Sequence, residues 1–266
     1  MTEILSTQNA KVKEWAQLLE KKHRDKQGKF IVEGIHLVSE VLRSDWDIDC
    51  IVYDTEKGIP AELREDIDHY SGGTQYIAVS EAILAKCTDT KTPQSVFAIV
   101  YKRNSLTERL LEMDRSLVMV LDNVQDPGNV GTIIRSSDAA GATGIVLGKG
   151  CADLYNPKTI RSTMGSLFHL PVIESDLSEL LPVAKQKGHI VLSTSLQASQ
   201  SCYEFDFTAG AWIVIGNEGK GISAEVSELV DQHILIPMQG QAESLNAAMA
   251  STILLFEAMR QRISNK

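Results

Sequence analysis

The chain has 266 residues, room for one large domain or two modest ones, and its 43% hydrophobic and 23% charged residues are globular proportions that exclude a wholly disordered chain. The formal net charge of −9 excludes general attraction of the whole surface to nucleic acid. The four cysteines, Cys50, Cys87, Cys151 and Cys202, show neither CxxC spacing nor a Cys/His cluster, so they are expected to be reduced structural thiols, with no metal bound.

From the N-terminus, residues Met1–Glu20 lack the uninterrupted apolar core of a signal peptide. Asn9–Lys22 carries Val12, Trp15, Ala16 and Leu19 at helical spacing. Lys11, Lys13, Lys21, Lys22, Arg24, Lys26 and Lys29 stand against Glu14, Glu20 and Asp25, so residues 11–29 hold seven positive and three negative charges, +4 in sum. Such a local patch on an acidic chain can meet phosphates, or it can be a solvated helix face. Lys29–Val32 reads as a strand and Gly34–Arg43 as a helix. Ile48–Tyr53, Gln75–Val79 and Ser95–Tyr101 read as strands, the last rich in β-branched and aromatic residues. Lys102–Asp114 is polar and charged, either a linker or a short connecting helix, and the domain boundary is placed there.

The second half repeats the α/β rhythm more clearly. Leu117–Leu121, Gly144–Leu147, His189–Thr194, Ala211–Ile215 and His233–Ile236 read as strands, and Asn129–Ala140 as a helix. Near-continuous apolar strands separated by helices imply a parallel sheet covered on both faces. Ligands of such sheets bind beyond the carboxyl ends of the strands. The longest apolar stretch, Leu245–Met259, is interrupted by Asn246, Ser251, Thr252 and Glu257, so no membrane span is expected, and the chain is placed in the cytoplasm.

Three segments follow those strand ends. After Leu121 comes Asp122-Asn123-Val124-Gln125-Asp126-Pro127-Gly128-Asn129, where Pro127 and Gly128 suit a tight turn and Asn129 suits a helix cap. Arg135 lies six residues on, roughly 9 Å further along the helix axis. After Ile215 comes Gly216-Asn217-Glu218-Gly219-Lys220-Gly221, whose glycines allow close backbone approach to a ligand and would hold a carboxylate rigidly between them. It is neither a Walker A loop nor a dinucleotide fingerprint. The third is Ile236-Pro237-Met238-Gln239-Gly240, then Glu243-Ser244-Leu245-Asn246, with Ser244 as the expected cap of the final helix.

Together, Asn129 with Arg135, then Gly216-Asn217-Glu218-Gly219, then Ile236-Pro237-Met238 followed by Ser244-Leu245-Asn246, resemble in order and approximate spacing the signature of the SpoU (TrmH-like) RNA ribose methyltransferases of the SPOUT superfamily. The resemblance covers about Leu117–Arg262. Lys29-Phe30-Ile31-Val32-Glu33-Gly34, preceded by Arg24, more loosely resembles the substrate-binding domain of the same family. The resemblance implies an RNA substrate-binding domain over residues 1–104 and a methyltransferase domain over 113–266. The latter is implied to be a parallel α/β SPOUT domain with a deep trefoil knot, a feature no periodicity predicts and which general topology rules disfavour. It also implies a homodimer and S-adenosylmethionine as cofactor, in a pocket that includes Thr194, Gly216, Asn217, Gly219, Ile236, Met238 and Leu245. Asn129, Arg135, Glu218, Ser244 and Asn246 match the polar catalytic positions. Lys22, Arg24, Lys26 and Lys29 are expected to contact RNA phosphates, which position RNA without reading its sequence.

The implied reaction is methyl transfer to a ribose 2′-hydroxyl, with ribosomal RNA of the large subunit favoured over transfer RNA. Arg135 is expected to anchor the adjacent phosphate and stabilise developing alkoxide charge, because a guanidinium with a pKa above 12 is a poor base. Two alternatives stand beside this reading. A non-catalytic RNA-binding assembly factor on the same fold predicts loss of the motif residues, yet all are present. A nucleotide-dependent oxidoreductase needs a glycine fingerprint that the chain lacks.

Overall fold

The computed structural model describes residues 2–103 and 107–264. Its two compact units are Met1–Arg103 with Asp153–His169, and Asn104–Ala152 with Leu170–Lys266. Residue 104, the expected domain edge, and 265–266 lie outside the described residues. A single cut near Lys102–Asp114 would assign Asp153–His169 to the second domain, whereas it belongs to the first unit.

The first unit is built on a five-stranded sheet. Its strands are β1 (Thr2–Ile4), β2 (Lys29–Glu33), β3 (Ile48–Asp54), β4 (Gln75–Val79) and β5 (Val96–Tyr101), in the order β1-β4-β3-β5-β2. β1, β4 and β3 run parallel, while β5 is antiparallel to both β3 and β2. Val12, Trp15 and Leu18 pack with Val52, Ile77, Phe97 and Ile99, and the Trp15 and Phe97 rings meet edge to face at 6.0 Å.

The expected helix Asn9–Lys22 is two helices, Ala10–Gln17 and Lys21–Gln27. Asn9 caps the first through its side chain, which accepts from the Lys11 amide. The break at Leu18–Glu20 leaves the carbonyls of Leu18 and Leu19 without helical partners, and Arg24 Nη1 donates to both at 2.8 Å. Asp153–His169 adds the helix Pro157–Thr163, capped by Asn156, and Tyr155 packs on Phe30 at 4.6 Å.

The second unit holds a six-stranded sheet. Its strands are β6 (Leu117–Leu121), β7 (Gly144–Leu147), β8 (Val172–Glu174), β9 (Ile190–Thr194), β10 (Ala211–Ile215) and β11 (Gln232–Ile234), in the order β11-β9-β10-β6-β7-β8. Every pairing is parallel, as the apolar strand runs imply. Every residue of the central strands β6 and β10 is buried. The register pairs Leu121 with Ile215, Val214 with Ser193, and Thr194 with Ile234. The carboxyl ends of β6, β9, β10 and β11 therefore fall together on one edge, and the loops that leave them converge there. The helices Pro127–Ala139 and Ala247–Ser264 lie side by side, joined by a 2.8 Å hydrogen bond between the Ser136 and Thr252 hydroxyls.

Candidate active site

The first loop places its polar residues differently from the sequence expectation. The helix begins at Pro127, where a missing N–H costs nothing, and Asp126 caps it by accepting from the Asn129 amide at 2.9 Å. Asn129 is thus not the cap, and its side chain is free to work elsewhere. Its Nδ2 donates to Glu218 Oε1 at 2.8 Å, and its Oδ1 accepts from Asn246 Nδ2 at 3.0 Å. Ser244 is not the cap of the last helix either. The helix starts at Ala247, and Asn246 Oδ1 accepts from the amides of Ala248 (2.9 Å) and Met249 (3.3 Å). A capped helix end, an asparagine and a glutamate thereby form one hydrogen-bonded chain drawn from all three motifs.

Glu218 stands at the tip of a closed loop. Asn217 and Gly221 exchange two backbone hydrogen bonds, and Asn217 Oδ1 accepts from the amides of Gly219 (3.0 Å) and Lys220 (3.1 Å). Gly216 must be glycine, since a Cβ there would lie 2.2 Å from the Gly221 carbonyl carbon and the Ile222 nitrogen.

A cleft of about 320 Å³ opens beside this loop. Thr194, Gly216, Asn217, Ile236, Met238 and Leu245, all expected at the cofactor, line it, as do Glu218 and Ser244. Gly219 is exposed and outside the lining, turned away at the loop tip. Asn129 and Asn246 stand behind Glu218 rather than in the wall. The sequence reading missed Ser195, Leu196, Ile215 and Ala247, which also line the cleft. The signal for Ser195 and Leu196 is their position directly after β9, where the strand-end rule already points.

Arg135 is not gathered into the cleft. It is exposed, and among the described residues no hydrogen bond or ion pair ends on it. Six residues beyond Asn129 is about 240° around a helix of 3.6 residues per turn, so the two side chains leave from different faces.

The four expected phosphate contacts divide. Lys22 and Lys26 are exposed. Lys29 is half-buried, pairs with Asp49 at 3.1 Å and sits 4.8 Å over the Tyr101 ring; burial opposes its charge, but Asp49 outweighs it and raises its pKa. Arg24 is a correction. It is 2% exposed, and its Nη2 reaches Asp153 Oδ2 at 2.5 Å while Nη1 holds the Leu18 and Leu19 carbonyls. With these donors engaged inside the fold it cannot reach a phosphate. The four cysteines are free, and burial pushes the Cys50 thiol up to about 12 and those of Cys87 and Cys151 to about 11, far from a reactive thiolate.

Comparison with known proteins agrees with this geometry. Residues 116–256 match the model of the SpoU rRNA Methylase family, and residues 9–98 match the MRM3-like substrate binding domain. The chain is 40% identical to the 23S rRNA (guanosine(2553)-2'-O)-methyltransferase RlmP of Bacillus subtilis (strain 168), over 96% of this chain and 98% of that one. It is 32% identical to the 23S rRNA (uridine(2479)-2'-O)-methyltransferase of Streptomyces viridochromogenes, over 98% and 93%. The crystal structure of the SpoU methyltransferase AviRb from Streptomyces viridochromogenes, in complex with AdoMet, superposes with a TM-score of 0.87 at 33% identity, covering 97% of this chain and 99% of that one. The chain belongs to the SpoU rRNA methylase family. It is accordingly an enzyme whose cofactor is S-adenosylmethionine.

Proposed function

We propose that this protein methylates a ribose 2′-hydroxyl of large-subunit ribosomal RNA. The observation that carries the reading is the Asn246–Asn129–Glu218 chain, whose Glu218 end lines the same cleft as Gly216 and Ser244. The cleft fits S-adenosylmethionine. Ile215, Ile236, Leu245 and Met238 offer apolar walls for an adenine, and Gly216 lets the loop beside them fold back against Gly221 and Ile222, where a Cβ would clash. When bound, the cofactor supplies a methyl group made electrophilic by a positively charged sulfur.

The residues of the chain position and polarise. Thr194, Gly216, Asn217, Ile236, Met238 and Leu245 hold the cofactor, and backbone at Gly219 completes the loop. Glu218, oriented by Asn129 and Asn246, and Ser244 fix the reacting groups, where orientation alone supplies much of a rate acceleration. Arg135, with its guanidinium unengaged, anchors the adjacent phosphate and stabilises negative charge on the ribose oxygen as the hydroxyl proton passes to water.

The first unit, nearly all of residues 1–104, binds RNA through Lys22 and Lys26, and residues 113–266 carry the chemistry; the family matches over 9–98 and 116–256 support this division. The protein is a homodimer. Met249, Phe256 and Ile263 recur every seven residues on one face of the last helix, all exposed, and a second copy of that face is their natural cover. The trefoil knot belongs to the same reading, supported by the insertion of β10 between β9 and β6. No helix of the described residues is long and apolar enough to cross a membrane. The cytoplasm is the compartment that suits this substrate.

The test of substrate class offers the purified protein and labelled cofactor separately to large-subunit rRNA, small-subunit rRNA and transfer RNA from cells lacking the gene. Label in the large-subunit RNA is expected; label confined to transfer RNA would overturn the assignment.

A further inference from the structure

The loop that presents Glu218 is gripped at both ends by one residue that belongs to neither the catalytic nor the cofactor-lining set. It leaves β10 at Ile215 and turns back to Ser223. At the departing end, the Asp122 amide donates to the Ile215 carbonyl. At the returning end, Asp122 Oδ2 accepts from the Ser223 amide at 2.6 Å. Between them, the carbonyl of Asn123 accepts from Asn217 Nδ2 at 3.0 Å. Residues 122–123 thus form the seat of the loop, and among the described residues the carboxylate of Asp122 is its one side-chain grip on the returning end.

The surroundings of Asp122 suit that task and no other evident one. It is 6% exposed, and among the described residues it makes no ion pair with a lysine or arginine. A carboxylate kept that far from water needs hydrogen-bond donors, and an amide held by an ionised oxygen is a strong, directional tie. The neighbouring backbone is set for it. Asn123 takes the left-handed conformation (φ +59°), which turns its carbonyl toward Asn217. Its side chain occupies the space beside Gly150, where a Cβ would come within 2.5 Å of Asn123 Oδ1.

We infer that Asp122 is a positioning residue for the cofactor loop: its carboxylate fixes Ser223, and through it the placement of Gly216–Ile222 against the cleft. This rests on the reading of the cleft as the S-adenosylmethionine site. Asp122 lies outside the lining of the cleft and acts through the loop.

The test compares Asp122→Ala with Asp122→Asn, which keeps an acceptor oxygen of the same reach. S-adenosylmethionine binding is read by calorimetry, and amide exchange is read across residues 216–223 of the full chain without cofactor. The alanine variant is expected to bind the cofactor about tenfold more weakly or worse, the scale of losing one charge-assisted hydrogen bond. Its KM for the cofactor should rise more than its kcat falls, and its 216–223 amides should exchange faster. The asparagine variant should recover binding to within about threefold, as a hydrogen bond of the same geometry allows. Cofactor affinity of the alanine variant within about twofold of the parent, where retained geometry would put it, would overturn the inference. Where the alanine variant fails to fold, Asp122→Ser, too short to reach the Ser223 amide, takes its place, and parent-like cofactor affinity there would overturn the inference equally. Binding is the readout, so a parent protein that binds cofactor yet methylates no RNA would sink the methyltransferase reading and leave this one standing.

Discussion

Asn129 Nδ2 and Glu218 Oε1 lie 2.8 Å apart across 89 residues of sequence, joining the turn after β6 to the loop after β10. The contact exists because Asp126, three residues earlier, caps the helix and releases the Asn129 side chain. Asn129→Ala and Glu218→Gln should each lower the methylation rate, while thermal melting stays near that of the parent, since Glu218 is exposed and Asn129 is only half-buried. A double-mutant cycle on the rate should show coupling of about 0.5–3 kcal/mol, the range for residues in one network. Strict additivity of the two losses would mean that the hydrogen bond plays no part.

Arg24 and its neighbours on the helix Lys21–Gln27 should behave oppositely. Arg24→Met leaves Asp153 and two carbonyls without their donors, and breaking such a buried pair costs about 3–5 kcal/mol. Urea denaturation should register the loss. Lys22→Glu with Lys26→Glu should leave the fold intact and weaken RNA binding, with the slope of log K against log salt falling by about one for each phosphate no longer neutralised. A double charge reversal with unchanged RNA affinity would remove this helix from the RNA-binding surface.

The Asp176 carboxyl is held down to about 2 by the Lys149 ammonium and by the hydroxyl and amide of Ser178. A depressed carboxyl stabilises the fold fully above its ordinary value of 3.8, and that contribution disappears as the pH falls toward 2. Asp176→Asn should therefore flatten the acid limb of a stability-against-pH curve between about 4 and 2. An unchanged limb would show that Asp176 titrates alike in the folded and unfolded chains. Added salt should shrink the effect, because Lys149 is exposed.

Arg135→Lys separates anchoring from base catalysis. A lysine offers a point charge in place of the planar guanidinium fork, so activity should remain low from neutral to alkaline pH. Recovery of most of the activity at raised pH would instead mark residue 135 as the proton acceptor.

Much of this architecture is legible in the sequence because it is local. Continuous apolar runs mark β6, β7, β9 and β10, and the strand-end rule sends attention to the loops that line the cleft. What escapes is decided by small competitions or distant contacts. Asp126 and Asn129 are both good caps, and so are Ser244 and Asn246; which one wins depends on partners from other motifs. Arg24 reads as one cation in a basic run, because nothing local announces that Asp153, 129 residues away, will bury it. The strands β1 and β8, three residues each, are too short to show a period.

The most direct measurement incubates the purified protein with S-adenosylmethionine labelled in its methyl group and large-subunit RNA from cells lacking the gene, then hydrolyses the RNA in alkali. A 2′-O-methyl ribose blocks cleavage of the bond beside it. The account predicts label in alkali-resistant dinucleotides, absent with the Glu218→Ala protein. Label recovered only in single nucleotides would place the methyl group on a base and contradict ribose methylation.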